Sequence, residues 1–185
     1  MVRWYREHGY NFLVLSDHNV FTDPAPFRLP GDTAFLLIPG EELTTSFERR
    51  PVHVNGLNLP HVLPAAPDST LLRTIQRSVD AIRNVAGVPH INHPNFHYAI
   101  SLEDLKMLQG ERFFEVYNGH PQVNNLGDAE HIGTEEMWDL VNIAYLQKGQ
   151  PLLYGLATDD SHNYHRIGSQ WSNAGRGWVM VKTET

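Results

Sequence analysis

Three apolar runs in this chain each deliver a histidine, or an aspartate and a histidine, at their C-terminal ends. Phe12-Leu13-Val14-Leu15 runs into Ser16-Asp17-His18-Asn19. Val88-Pro89-His90-Ile91-Asn92 runs into His93-Pro94-Asn95. Leu152-Leu153-Tyr154-Gly155-Leu156-Ala157 runs, past Thr158-Asp159, into Asp160-Ser161-His162. A short apolar run followed by polar turn residues reads as a buried strand. In an α/β barrel, polar residues at strand C-termini converge on one shared mouth. Imidazole and carboxylate together are the ligand set of a hydrolytic divalent-metal centre. It is the position relative to strand ends, more than the residue types, that constrains this chain.

Composition narrows the partners. At 185 residues the chain is expected to form one domain over 1–185, large enough for a real core. The hydrophobic fraction of 41% and the charged fraction of 19% are ordinary for a globular protein. The formal net charge is −7 and no long Lys/Arg run exists, so a nucleic-acid backbone is not an expected partner. There are no cysteines, which excludes a disulfide framework and a thiolate metal site, and fits the expected cytoplasmic location. The first residues, Met1 to His8, are polar and amphipathic, unlike a signal peptide or a membrane span. The histidine count, 11, is high.

The order of elements alternates. Residues 2–8 read as a helix stopped by Gly9, and 11–16 as a strand. The Pro-rich stretch 22–31 is a loop. Residues 34–38 are a strand ending in Pro39-Gly40-Glu41-Glu42, and 43–47 with 52–58 form a hairpin around Glu48-Arg49-Arg50-Pro51. A helix over 70–85, capped by Ser69 or Asp68, carries Leu71, Leu72, Ile75, Val79 and Ile82 at helical spacing and ends at Gly87. Residues 88–92 and 112–117 are strands. Ser101-Leu102-Glu103-Asp104 opens a short helix with a capping box. A helix over 135–148 turns Met137, Trp138, Val141 and Ala144 inward, and strands follow at 151–157 and 176–182. Strands separated by helices imply βαβ units and a mostly parallel sheet.

Each candidate residue has a bland reading beside the functional one. Asp17 can be a turn cap and His18 merely exposed. The adjacent carboxylates Glu41 and Glu42 can both be solvated, yet a carboxylate has two oxygens and is the usual bridge between two cations. In Val52-His53-Val54-Asn55, period two puts His53 and Asn55 on one face and the valines on the other. His90 and His93 are three apart, so at most one faces a site; His93 is chosen because Pro94 fixes its backbone, with His90 left to packing or surface. Asp160 and His162 are two apart and lean the same way, while Asp159 caps or is solvated. His8, His61, His97, His120, His131 and His165 read as exposed, with His97 and His120 beyond strand ends on the functional side.

As a set, these stretches resemble a polymerase-and-histidinol-phosphatase (PHP) domain. The resemblance runs through Leu15-Ser16-Asp17-His18-Asn19, Ile38-Pro39-Gly40-Glu41-Glu42, Val52-His53-Val54-Asn55-Gly56-Leu57, Ile91-Asn92-His93-Pro94-Asn95, Phe114-Glu115-Val116-Tyr117-Asn118 and Thr158-Asp159-Asp160-Ser161-His162. It implies an α/β fold, a distorted (β/α)7 barrel, with one to three divalent ions (Zn, Mn or Fe) at its mouth. It implies that Glu42 bridges, that His53 and His93 share one ion with Glu42, that His18 and His162 hold another, and that Asp160 serves a further one. Asp17 and His162 are the candidate catalytic residues, Asp17 by orienting the cluster. The family's opening strand with its His-x-His motif has no counterpart before Asp17, so the barrel is expected to be incomplete there and at its C-terminal end.

The function this implies is hydrolysis of a small phosphorylated molecule by a metal-bound hydroxide. The same centre serves equally for a lactone, ester or amide. A third reading is a truncated metal-binding or interaction protein. An open barrel edge also allows a homo-oligomer.

Overall fold

The computed structural model describes residues 1–28, 30, 31 and 33–183. Its elements in chain order are α1 (Val2–Glu7), β1 (Phe12–Leu15), a 3-10 turn (Ala25–Phe27), β2 (Leu36–Phe47), β3 (Arg50–Leu57), α2 (Leu71–Asn84), β4 (Val88–Ile91), α3 (Leu102–Met107), β5 (Phe113–Asn118), α4 (Thr134–Gln147) and β6 (Tyr154–Thr158). The six strands form one sheet in sequential order, curled into a half-barrel. β1–β2, β4–β5 and β5–β6 pair parallel, whereas β2–β3 and β3–β4 pair antiparallel. The expected hairpin supplies the antiparallel part.

Strands were expected separately at 34–38 and 43–47, but β2 is continuous through Pro39-Gly40. The reason is a change of partner. β1 pairs with β2 up to Pro39, and β3 pairs with it from Gly40 onward. A Cβ at Gly40 would lie 2.8 Å from the Gly56 carbonyl oxygen and 3.0 Å from that of Leu15. Only glycine lets three backbones approach this closely.

α2 and α4 pack on the outer face of the sheet, and α3 packs on these two helices. α2 buries Leu71, Ile75, Val79 and Ile82 against Val52, Val54 and Ile91, and α4 adds Met137, Val141 and Tyr145 around Phe114. Tyr145, outside the expected inward set, is buried and donates its hydroxyl to the Leu105 and Leu108 carbonyls; Ala144 is half-buried. A second, smaller cluster joins Tyr5, Phe35 and Leu37 beneath α1. The period-two reading of β3 places Val52 and Val54 in the core and leaves His53 and Asn55 on the inner face. The concave side of the half-barrel is thereby free for polar chemistry.

Local signals differ in detail from the sequence expectation. α2 is capped by Thr70, whose Oγ1 accepts the Arg73 N–H at 3.1 Å, rather than by Asp68 or Ser69. The Ser101–Asp104 capping box on α3 is reciprocal, as expected. Residues 176–182 are not a strand. The carboxylate of Asp159 captures the amide groups of Gly175, Arg176 and Gly177 at 2.5–2.9 Å, so this stretch is anchored at its start by a side chain instead of a sheet ladder. No helix among the described residues is long and apolar enough to cross a membrane.

Candidate metal centre

The C-terminal ends of β1, β4 and β6 and the middle of β2 and β3 meet at the mouth of the curl, above a cavity of about 750 Å³ that Glu42, His18, Asp160 and His162 help to line. Glu42 sits at the centre, 4% exposed. Its Oε1 faces His53 Nδ1 at 2.9 Å and His93 Nε2 at 3.7 Å, and its Oε2 faces His18 Nδ1 at 3.4 Å. Donor atoms of His18, Glu42 and His53 lie within 4.8 Å of one another. Asp160 extends the group, with Oδ2 at 3.9 Å from His93 Nε2 and Oδ1 at 3.5 Å from His162 Nδ1. All six residues read from the sequence as ligands thus stand at one mouth.

Each side chain is aimed by its element. His18 follows β1, and the bridge between His18 and Glu42 continues the β1–β2 register three residues beyond the Leu15–Pro39 pair. His18 Nδ1 lies 2.6 Å from Thr44 Oγ1. Asn19, in the left-handed region at φ 55°, clamps Thr44 through both its amide atoms. Asp17 holds the site through its main chain, its carbonyl accepting the Glu42 N–H at 3.0 Å, while its carboxylate accepts from Thr22 Oγ1. Asp160 takes a left-handed φ of 48°, uncommon for most residues with a Cβ but open to aspartate, and this turns the chain at the end of β6. His162 Nδ1 donates to the Asp160 carbonyl at 2.8 Å, which fixes the tautomer and leaves the Nε2 lone pair free. A ligating histidine held by a carbonyl on its other nitrogen has this arrangement.

Burial would push the Glu42 carboxyl up. The His53 and His93 imidazoles beside it outweigh burial and hold it well below the usual carboxylate range. For His93, burial favours the neutral ring, but Glu42, Glu115 and Asp160 prevail and raise it to about 9. Glu42 Oε1 is buried and lacks a hydrogen bond of good geometry. An anion ringed by imidazole nitrogens at 2.9–3.7 Å suits a divalent cation placed among them. The donor set of nitrogen and oxygen, with no thiolate, fits Zn, Mn or Fe.

Several functional neighbours escaped the sequence reading. Glu41 and Glu42 are both buried, not solvated: consecutive strand residues face opposite sides, and Glu41 accepts the Leu63 N–H at 2.7 Å on the outer side. Asp159 is buried and also accepts the Tyr5 hydroxyl at 2.6 Å. His90 is buried, as the packing alternative had it, but His93 does not exclude it from the inner face. β4 ends at Ile91 and the chain turns, so strand parity no longer relates the two. His90 is fully buried with Nε2 3.7 Å from Glu115 Oε1, and burial lowers it to about 3. Glu115 accepts the His93 N–H at 2.6 Å and the Asn118 amide at 2.9 Å, and burial pushes its carboxyl up. A β-bulge between Glu115 and Tyr117 turns both Glu115 and Asn118 inward, where alternation alone would separate them. Register also aligns Glu42, Asn55 and His90 in one row across β2, β3 and β4.

No protein-family model matches the chain, and no curated protein does. Among solved structures it is similar to a two-domain protein of Bacteroides vulgatus containing a predicted PHP-like metal-dependent phosphoesterase. The TM-score is 0.51 and the identity 18%, over 86% of this chain and 45% of that one. The likeness is one of fold, and the chain spans less than half the length of that protein.

Proposed function

We propose that residues 1–185 form a single PHP-type domain whose curled sheet is part of a distorted (β/α)7 barrel, and that it is a divalent-metal-dependent phosphoesterase. The observation that carries this reading is the buried Glu42 carboxylate, with His18 at one oxygen and His53 and His93 at the other. The ordered resemblance of the strand-end motifs and the fold of the Bacteroides vulgatus neighbour support it.

In this reading Glu42 would be shared between cations, His53 and His93 would help to hold one and His18 and His162 another, with Asp160 as a further oxygen donor. Bound divalent ions would acidify water towards neutral pH and screen the charge of a phosphoryl group. The protein's own residues do the rest. Thr44 and the Asp160 carbonyl fix the imidazoles of His18 and His162. Glu115 holds the main chain of His93. Asp17 holds that of Glu42. The substrate is a small phosphorylated molecule, since net charge −7 disfavours a polyanion away from the cations.

Purified protein loaded with Mn or Zn is expected to hydrolyse a chromogenic phosphate monoester and to lose that activity with a chelator. Turnover of a lactone or carboxylic ester alone would move the same centre to carbonyl chemistry. No turnover of any of them, with no divalent metal retained, would reduce the chain to an interaction protein.

A further inference from the structure

The mouth is bounded by a closed circuit of six rings. Going round, His18–His53 centroids are 5.4 Å apart, His53–His93 5.0 Å, His93–Phe96 5.2 Å, Phe96–His120 6.2 Å, His120–His162 5.6 Å and His162–His18 5.9 Å. Five members are imidazoles. Four of these have a ring nitrogen within 4 Å of a Glu42 or Asp160 carboxylate oxygen. His120 is the exception: among the described residues it makes no such pair.

Its hydrogen bonds explain the difference. The Gln122 N–H donates to His120 Nδ1 at 3.2 Å. A backbone amide can only donate, so Nδ1 carries the lone pair and the proton of the neutral ring sits on Nε2. No described residue accepts that proton. The ring is also held in place. The His120 N–H donates to Asn118 Oδ1 at 2.7 Å, the Gly119 N–H to the Thr158 carbonyl at 2.8 Å, and the Val123 N–H to the His120 carbonyl at 3.1 Å. The same Asn118 gives its amide to Glu115 and to Asp160 at 3.2 Å, so the His120 turn is tied directly to the carboxylates of the centre. Phe96 meets the His120 ring edge-on at 89°. A pinned neutral imidazole with one unclaimed N–H, beside residues that would hold cations, is suited to an anionic oxygen of a bound molecule.

We propose that His120 is a substrate-positioning residue that donates Nε2–H to a phosphoryl oxygen, and is not a metal ligand. The inference rests on the phosphoesterase reading for the identity of the anion. Inorganic phosphate is the probe, titrated by calorimetry into metal-loaded wild type, His120→Phe and His120→Gln. Phe keeps the ring against Phe96 and His162 and removes the donor; Gln restores a donor near the Nε2 position. His120→Phe is expected to weaken phosphate binding about 10- to 100-fold, the effect of losing a hydrogen bond to a charged group, and to raise KM for the phosphate ester more than it lowers kcat. His120→Gln recovers most of the affinity. Metal per chain stays at the wild-type value in both. In the Zn-loaded wild type, the His120 Nε2–H NMR resonance shifts on adding phosphate, a readout that needs no variant to fold. Unchanged phosphate affinity in His120→Phe, loss of a metal ion from it, or no resonance shift would each overturn the assignment. Phosphate binding without ester hydrolysis would sink the phosphoesterase reading while leaving His120 in place. Hydrolysis with phosphate affinity independent of His120 would do the reverse. A metal-loaded wild type that binds no phosphate would sink both.

Discussion

Glu42 is the residue on which the centre turns. It is the only described carboxylate within 4 Å of three imidazoles, and burial makes its charge costly unless cations or protonated rings surround it. Glu42→Gln keeps the shape and removes the charge. It is expected to drop bound divalent metal, by elemental analysis, to a small fraction of the wild-type value, with the far-ultraviolet circular dichroism unchanged. A variant that retained full metal would show that Glu42 is not the bridge. Thr70 tests a purely structural residue. Thr70→Ala removes the cap of α2 and is expected to cost about 1 kcal/mol in denaturant unfolding, with metal content untouched. At this scale His18, His93, Asp160 and His162 were legible from strand-end position and residue type, and His53 from the period-two pattern, whereas Glu42 stands within β2 and not after a strand. Glu115, Asn118 and His90 were not legible. Their inward aim depends on a bulge in β5 and on where β4 stops, and neither leaves a mark in the period-two pattern.

Among the elements, β5 and the turn before it carry a pH dependence of their own. Glu111 is buried, its Oε2 has no hydrogen-bond partner, and burial raises its carboxyl to about 8. The folded state therefore keeps a proton that the unfolded chain gives up near its ordinary carboxylate value. Stability is full below the unfolded value and falls as pH rises through about 8. The expected loss by pH 9 is on the order of 3–5 kcal/mol. Glu111→Gln mimics the neutral acid, so it is expected to match wild type at pH 4 and exceed its stability at pH 9. Parallel unfolding curves for the two proteins across that range would contradict the assignment. Helices α2 and α4 were legible from apolar spacing because each packs one stripe on the sheet, and α3 from its capping box. The 176–182 stretch was not. Its apolar residues resemble a strand, but the Asp159 side chain takes the amides at its start, and Trp178, Met180 and Val181 stand exposed.

For the whole molecule, α2, α3 and α4 on the convex side and polar side chains on the concave face divide stability from chemistry. The core of α2, α3 and α4 against β3, β4 and β5 involves none of the proposed ligands. The ligands instead tie β1 and β6, which do not pair with each other among the described residues, across the mouth. A cation held there is expected to stabilise the fold by about 2.7 kcal/mol at a hundred times its Kd, read as a rise in Tm that Glu42→Gln does not share. The antiparallel middle of the sheet was partly legible, through the hairpin. The continuity of β2 was not, because it depends on the three-strand approach at Gly40.

The most direct measurement is anomalous diffraction from crystals of the metal-loaded protein, recorded at the absorption edge of the ion. A peak about 2.0–2.2 Å from a Glu42 carboxylate oxygen and from a ring nitrogen of His53 or His18 is the expected result. Peaks only elsewhere on the molecule, or full loading without any peak at Glu42, would contradict the account.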